Sequence, residues 1–183
     1  MGGADKALLP LAGRPMLDHV LERLRPQVSA IALGANGDPA RFAGRGLEVL
    51  ADPGPGGQGP LAGVLAALDW AAGLGAPAVV TVACDTPFFP RDLVARLRAA
   101  GAPLALAATD RRHPTFGLWP TALREDLRAA LAAGDRKIAL WADAHGAVAV
   151  PFEARGTAAE DPFFNVNTPG ELALAEARAG RAP

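Results

Sequence analysis

The sequence predicts an α/β domain with a mostly parallel central sheet flanked by helices. Two observations carry this. Short apolar runs alternate with stretches of helical periodicity, joined by short Gly- or Pro-bearing links, which is the pattern of strands and crossover helices. One run, Pro77–Cys84 (PAVVTVAC), is almost continuously apolar and rich in β-branched residues, as strands buried on both faces are.

The elements follow in order. Leu17, Val20, Leu21 and Leu24 recur at helical spacing, with Pro15 near the helix start. Ser29–Gly34 reads as a short buried strand ended by glycine, and Leu47–Ala51 as the next. Asp52–Pro60 is a loop, with four Gly and three Pro in nine residues. Leu61–Ala72 reads as a helix, Pro77–Cys84 as the clearest strand, Arg91–Ala100 as a helix and Pro103–Ala108 as a short strand. Thr115–Trp119 is a further strand candidate. Ala122–Ala133 is a helix stopped by Gly134, and Val148–Phe152 a last strand. Thr168, Pro169 and Glu171 form a capping-box signature at the start of a helix over Pro169–Arg178.

Composition bounds the function. A chain of 183 residues is one ordinary domain, taken here as residues 1–183. Half the residues are hydrophobic and 20% are charged, which excludes wholesale disorder. Eighteen Lys plus Arg against 19 Asp plus Glu leave a net charge of −1, without the basic surplus of a nucleic-acid footprint. A single cysteine, Cys84, excludes an intrachain disulfide framework. No apolar run approaches a membrane span and no secretory signal opens the sequence, so a cytoplasmic protein is expected.

Ligands of open α/β sheets bind outside the carboxyl ends of the strands. That rule selects Gly34–Asp38, Asp52–Pro60 and Asp85–Pro90. Asp85 follows the most buried-looking strand, where a carboxylate suits a hard cation that completes its shell with water and phosphate; a helix cap or turn is the plainer role. Asp52 opens the Gly/Pro loop, where turn chemistry alone accounts for it. Gly2, Gly3 and Lys6 combine amide donors with a cation, although the pattern G-x-x-x-x-G-K-[ST] is absent. Arg136 and Lys137 lie beyond a helix end, where the helix dipole favours cations. Asn165 and Asn167 alternate just ahead of the capping box. Cys84 has apolar neighbours and reads as an inert thiol. No Ser/His/Asp or zinc-type spacing is present.

The pieces DKALLPLAGRPMLDHVLERL, GPLAGVLAAL, ACDTPFFP, HPTFGLWP and FFNVNTPGEL occur in one order across nearly the whole chain. Together they resemble the molybdenum cofactor guanylyltransferases. The resemblance implies a Rossmann-like nucleotidyltransferase fold. It implies transfer of GMP from GTP to the phosphate of molybdenum-molybdopterin, with Mg²⁺ and release of pyrophosphate. It assigns metal binding to Asp85 and nucleotide binding to Lys6 and Asp52. Cofactor-binding candidates are then Gly2, Gly3, Lys6, Asn36, Asp52, Arg136, Asn165 and Asn167, with Arg111, Arg112, His113 and Lys137 as further cations for the pterin phosphate. Transient contact with molybdoenzymes or their chaperones goes with that role.

Two departures from the family pattern stand out. The family opens with an apolar strand and an L-A-G-G-x-S-x-R-M-G-G segment. Met1-Gly2-Gly3 matches that segment's tail, so a chain lacking a central strand, with unpaired sheet edges, is expected. Gly34 stands where the family often has Asn, leaving Asn36 as a substitute contact. The alternatives are a molybdenum cofactor cytidylyltransferase, a sugar-phosphate nucleotidyltransferase, or a non-catalytic module that binds and delivers molybdopterin.

Overall fold

Helices cover both faces of the sheet region, and alternate strand residues divide the core between them. The computed structural model describes residues 5–54, 59–154 and 156–180. A hairpin of β1 (Pro10–Leu11) and β2 (Arg14–Pro15) leads into α1 (Met16–Leu24). Then come β3 (Ala32–Gly34), β4 (Glu48–Leu50), α2 (Pro60–Gly73) and β5 (Ala78–Thr81). They are followed by α3 (Leu93–Ala99), β6 (Ala105–Ala108) and β7 (Arg112–Pro120). Last are α4 (Arg124–Ala133), α5 (Ile138–Ala144), β8 (Val148–Pro151) and α6 (Pro169–Ala179).

β3 pairs with β4 in parallel, and a four-stranded sheet runs β5-β7-β6-β8. β7 is antiparallel to both of its neighbours, while β6 and β8 are parallel. β5, β6 and β8 therefore share one direction, as the sequence predicts, and β7 alone opposes them.

Ala105 and Ala107 face one layer, with Val20 and Leu24 of α1 and Leu93 and Leu97 of α3. Leu104 and Leu106 face the other layer, with Leu61, Leu65 and Leu68 of α2, Leu127 of α4 and Trp141 of α5. This period-two division is what a pleated strand between two helical layers requires.

The element ends follow local chemistry. Thr168 Oγ accepts from the Glu171 N–H, and the Glu171 carboxylate accepts from the Thr168 N–H, so the predicted capping box forms. α4 stops at Gly134 in the left-handed conformation, φ +100°. β7 exceeds the predicted Thr115–Trp119 strand at both ends, with a register irregularity opposite Leu106 and Ala107. His113, Pro114 and Gly117 within it mask its strand pattern. The short helix α5 carries no strong sequence signal of its own.

One prediction fails in detail. The sequence presents Pro77–Cys84 as a strand buried on both sides. In the structure all four residues of β5 are only half-buried, whereas all four of β6 are buried. The reason is topological: among the described residues β6 is paired along both edges and β5 only against β7.

Candidate active site

The carboxyl ends of β3 and of the 78–84 segment meet at a cavity of about 310 Å³, lined in part by Asp5, Lys6, Gly34, Arg41, Cys84 and Asp85. Lys6 lies in a short 3-10 turn capped by Asp5, whose carboxylate accepts from the Ala7 N–H at 3.1 Å. That cap turns the Lys6 side chain toward Asp85, with Nζ 4.0 Å from Oδ2. The ammonium also donates to Asn167 Oδ1 from the opposite end of the chain.

Asp85 is held from behind. Its carbonyl accepts from the Val166 N–H at 2.8 Å, which locks the Asn165–Asn167 segment against the strand end. Burial raises the Asp85 carboxyl above the ordinary carboxylate range, against the opposing pull of Lys6 and hydrogen bonds that include Asn165. Its side chain is 22% exposed, which leaves the carboxylate open to the cavity. Asn165 Oδ1 is buried beside it without a hydrogen-bond partner.

A second polar chain crosses the strand ends. Asn36 Nδ2 donates to Asp52 Oδ2 at 2.8 Å, and the Asp52 N–H donates to Asn36 Oδ1 at 2.9 Å. Arg41 ties this pair to the Lys6 turn. It donates to the Asn36 carbonyl at 2.5 Å and, through Nε, to the Asp5 carboxylate at 2.8 Å. Asn36 is thus engaged with Asp52 rather than standing free in place of the family's Asn at position 34. Asp5 and Arg41 were not singled out from the sequence. The signal for Asp5 was its position beside Lys6; a lone Arg in a polar stretch offered none for Arg41.

Among the sequence-predicted residues, Lys6, Asp85, Asn165 and Asn167 converge, and Asn36 and Asp52 form the adjoining pair. Gly2 and Gly3, like residues 55–58 of the Gly/Pro loop, lie outside the described residues. Arg136 points elsewhere: its guanidinium donates to the Leu131 and Asp135 carbonyls and caps its own helix end. Arg112 pairs with Asp143. His113 is buried, stacks on Phe163 at 4.4 Å and meets Thr109 Oγ at 2.8 Å. Burial lowers its pKa, so it is no cation for a phosphate at neutral pH. Burial, helped by Asp85, pushes the Cys84 thiol up to about 11, which leaves it protonated and unreactive.

A lysine and a carboxylate thus meet at the strand ends of a helix-covered α/β sheet, where the ligands of such folds bind. The comparisons agree. Residues 1–148 match the family model described as a MobA-like NTP transferase domain. A molybdenum cofactor guanylyltransferase of Cereibacter sphaeroides is 53% identical over 178 residues, covering 96% of this chain and 89% of that protein. One from Mesorhizobium japonicum is 50% identical over 182 residues, covering 96% and 88%. Among solved structures, molybdopterin-guanine dinucleotide biosynthesis protein A of Archaeoglobus fulgidus superposes with a TM-score of 0.74 at 24% identity, covering 98% of this chain and 93% of that one. The 2-C-methyl-D-erythritol 4-phosphate cytidylyltransferase of Thermus thermophilus reaches 0.70 at 24% identity, covering 96% and 94%. The chain belongs to the molybdenum cofactor guanylyltransferase family.

Proposed function

We propose that this nucleotidyltransferase moves GMP from GTP to the terminal phosphate of molybdenum-molybdopterin and releases pyrophosphate. The observation that carries the reading is the convergence of Lys6 and Asp85, 4.0 Å apart, on one cavity at the strand ends. Relatives about half identical along almost the whole chain support the guanine preference through their names.

The reaction asks for positioning and charge neutralisation rather than covalent catalysis. The attacking phosphate oxygen is already ionised near neutral pH, so no strong base is required. That fits a cavity whose thiol stays protonated and a protein whose His113 is buried in the core. The Lys6 ammonium, 43% exposed, is placed to pair with phosphate oxygens and offset charge on the leaving pyrophosphate. Asn167 keeps that ammonium pointed into the cavity. The Asn36–Asp52 pair, braced by Arg41, presents a polar rim for the nucleoside.

The donor set suits Mg²⁺. Among the described residues no cluster of three or more His, Cys, Asp or Glu side chains could hold a metal alone. Asp85 offers one carboxylate, which with water and substrate phosphates is a sufficient shell for this ion. When bound, Mg²⁺ supplies charge neutralisation on the phosphates. Asp85 would hold it, and Lys6, at 4.0 Å, leaves the carboxylate lone pairs available.

The test is Mg²⁺-dependent pyrophosphate release with molybdenum-loaded molybdopterin, comparing GTP with CTP. GTP-selective turnover is expected. Equal or greater turnover with CTP favours the cytidylyl alternative. Turnover with a hexose 1-phosphate and no molybdopterin favours the sugar-nucleotide one.

A further inference from the structure

Arg41 borders the Lys6–Asp85 cavity, yet its guanidinium is engaged with the protein itself. Nε donates to Asp5 Oδ2 at 2.8 Å, Nη1 to the Asp38 carbonyl at 3.0 Å and Nη2 to the Asn36 carbonyl at 2.5 Å. All three nitrogens are turned onto acceptors of this chain, which is the work of a brace and not of a phosphate ligand.

Two of those acceptors belong to opposite sides of the site. The Asp5 carboxylate takes Arg41 on one oxygen and caps the Lys6 turn with the other, accepting from the Ala7 N–H at 3.1 Å. Asn36 gives its carbonyl to Arg41, while its side chain makes two bonds to Asp52. The third acceptor, Asp38, starts the 3-10 turn Pro39–Phe42 that carries Arg41, accepting from the Ala40 N–H at 2.9 Å. Phe42 anchors that turn in one buried cluster with Ala7, Leu17 and Leu33.

The loop is shaped around the guanidinium. Gly37, between the two carbonyls that accept from Arg41, has φ +85°, and a Cβ on it would lie 2.9 Å from Nη1. Glycine is therefore required there twice, by conformation and by space. Gly44, just beyond the same turn, has φ +83° but nothing within 4 Å of a Cβ placed on it.

We infer that Arg41 is a positioning residue for GTP, a role that rests on the guanylyl transfer proposed above. It fixes the separation between the Lys6 turn and the Asn36–Asp52 pair, so that the ammonium and the polar rim engage the two ends of one nucleotide together. Charge alone does not perform this role. A lysine ammonium at 41 keeps the charge but has one nitrogen and no planar fork, so it does not reach three acceptors in these directions. Misplacement of a binding group by about 1 Å costs about 100-fold in rate.

The experiment compares Arg41→Lys, Gly37→Ala and Gly44→Ala with the parent, each as the full chain. Amide exchange at Ala7 and Asp52 needs no substrate. Arg41→Lys and Gly37→Ala are expected to speed it at both amides at least about tenfold, and Gly44→Ala at neither. In steady-state kinetics with Mg²⁺ and molybdenum-loaded molybdopterin, the same two variants are expected to raise the KM for GTP at least about tenfold. Gly44→Ala, which carries the same backbone strain without touching Arg41, is expected to keep the parent KM. A residue that only supports the fold lowers the active fraction, and so kcat, with KM unchanged. Parental KM in Arg41→Lys, a KM rise shared by Gly44→Ala, or unchanged exchange at either amide overturns the inference. A parent that turns over no GTP overturns the guanylyl reading and with it the role toward GTP, while the exchange measurement still decides whether Arg41 couples the two segments.

Discussion

Lys6 donates from its ammonium to the side-chain carbonyl of Asn167, 161 residues further along the chain. The backbone N–H of the same Asn167 donates at 2.8 Å to Glu171, which closes the capping box of α6. The aim of the Lys6 ammonium is therefore set by the start of the last helix.

Asn167→Asp converts that contact into an ion pair. A carboxylate there competes with phosphate for Lys6, and a charge-assisted bond is worth about 1.5–3 kcal/mol. The KM for GTP is expected to rise at least about tenfold, equivalent to about 1.4 kcal/mol, with thermal stability unchanged. Steady-state kinetics beside a melting curve checks both.

Asp85→Asn separates catalysis from stability. Burial raises the carboxyl in the folded protein, so the folded state keeps this proton to higher pH than the unfolded state does. Its contribution to stability is present below the ordinary aspartate range, about 3.9, and is lost as pH rises through the raised folded value. The variant is expected to lack that decline and, at neutral pH, to be as stable as the parent or more so. Urea midpoints from pH 4 to 7 measure this.

Thr168→Ala removes the oxygen that accepts from the Glu171 N–H. A lost N-cap costs about 0.5–2 kcal/mol. Thr168→Ser is expected to retain most of the stability, which urea denaturation reads directly.

Gly117→Ala tests the packing between the layers. A Cβ at 117 would lie 2.8 Å from Leu106 Cδ2 and 2.8 Å from the Trp119 ring. Both neighbours are fully buried, so neither yields freely. Overpacking of this kind costs about 1–3 kcal/mol, visible as a lower denaturation midpoint with an unchanged far-UV spectrum.

How far the sequence carries can be argued from these residues. The helical layers were legible because Leu17, Val20, Leu21 and Leu24 repeat at helical spacing, and the α6 start because Thr168 and Glu171 stand three apart. Asp85 was legible as a strand-end carboxylate. The half-exposure of β5 was not legible in its own periodicity, since apolar periodicity reports what faces the helices and says nothing of which backbone edge is paired. The bracing role of Arg41 was hidden because its partners, Asp5 and Asn36, meet it only through tertiary folding. Arg136 was legible from its place beyond a helix end, and its guanidinium donates to the carbonyls of that end.

The most direct measurement follows the α-phosphate. With α-labelled GTP and molybdenum-loaded molybdopterin, label is expected to move to the pterin product, and Lys6→Met and Asp85→Asn are each expected to lower that transfer at least about 100-fold with the fold intact. Label transfer at the parent rate by both variants contradicts the assignment of the reaction to the Lys6–Asp85 cavity.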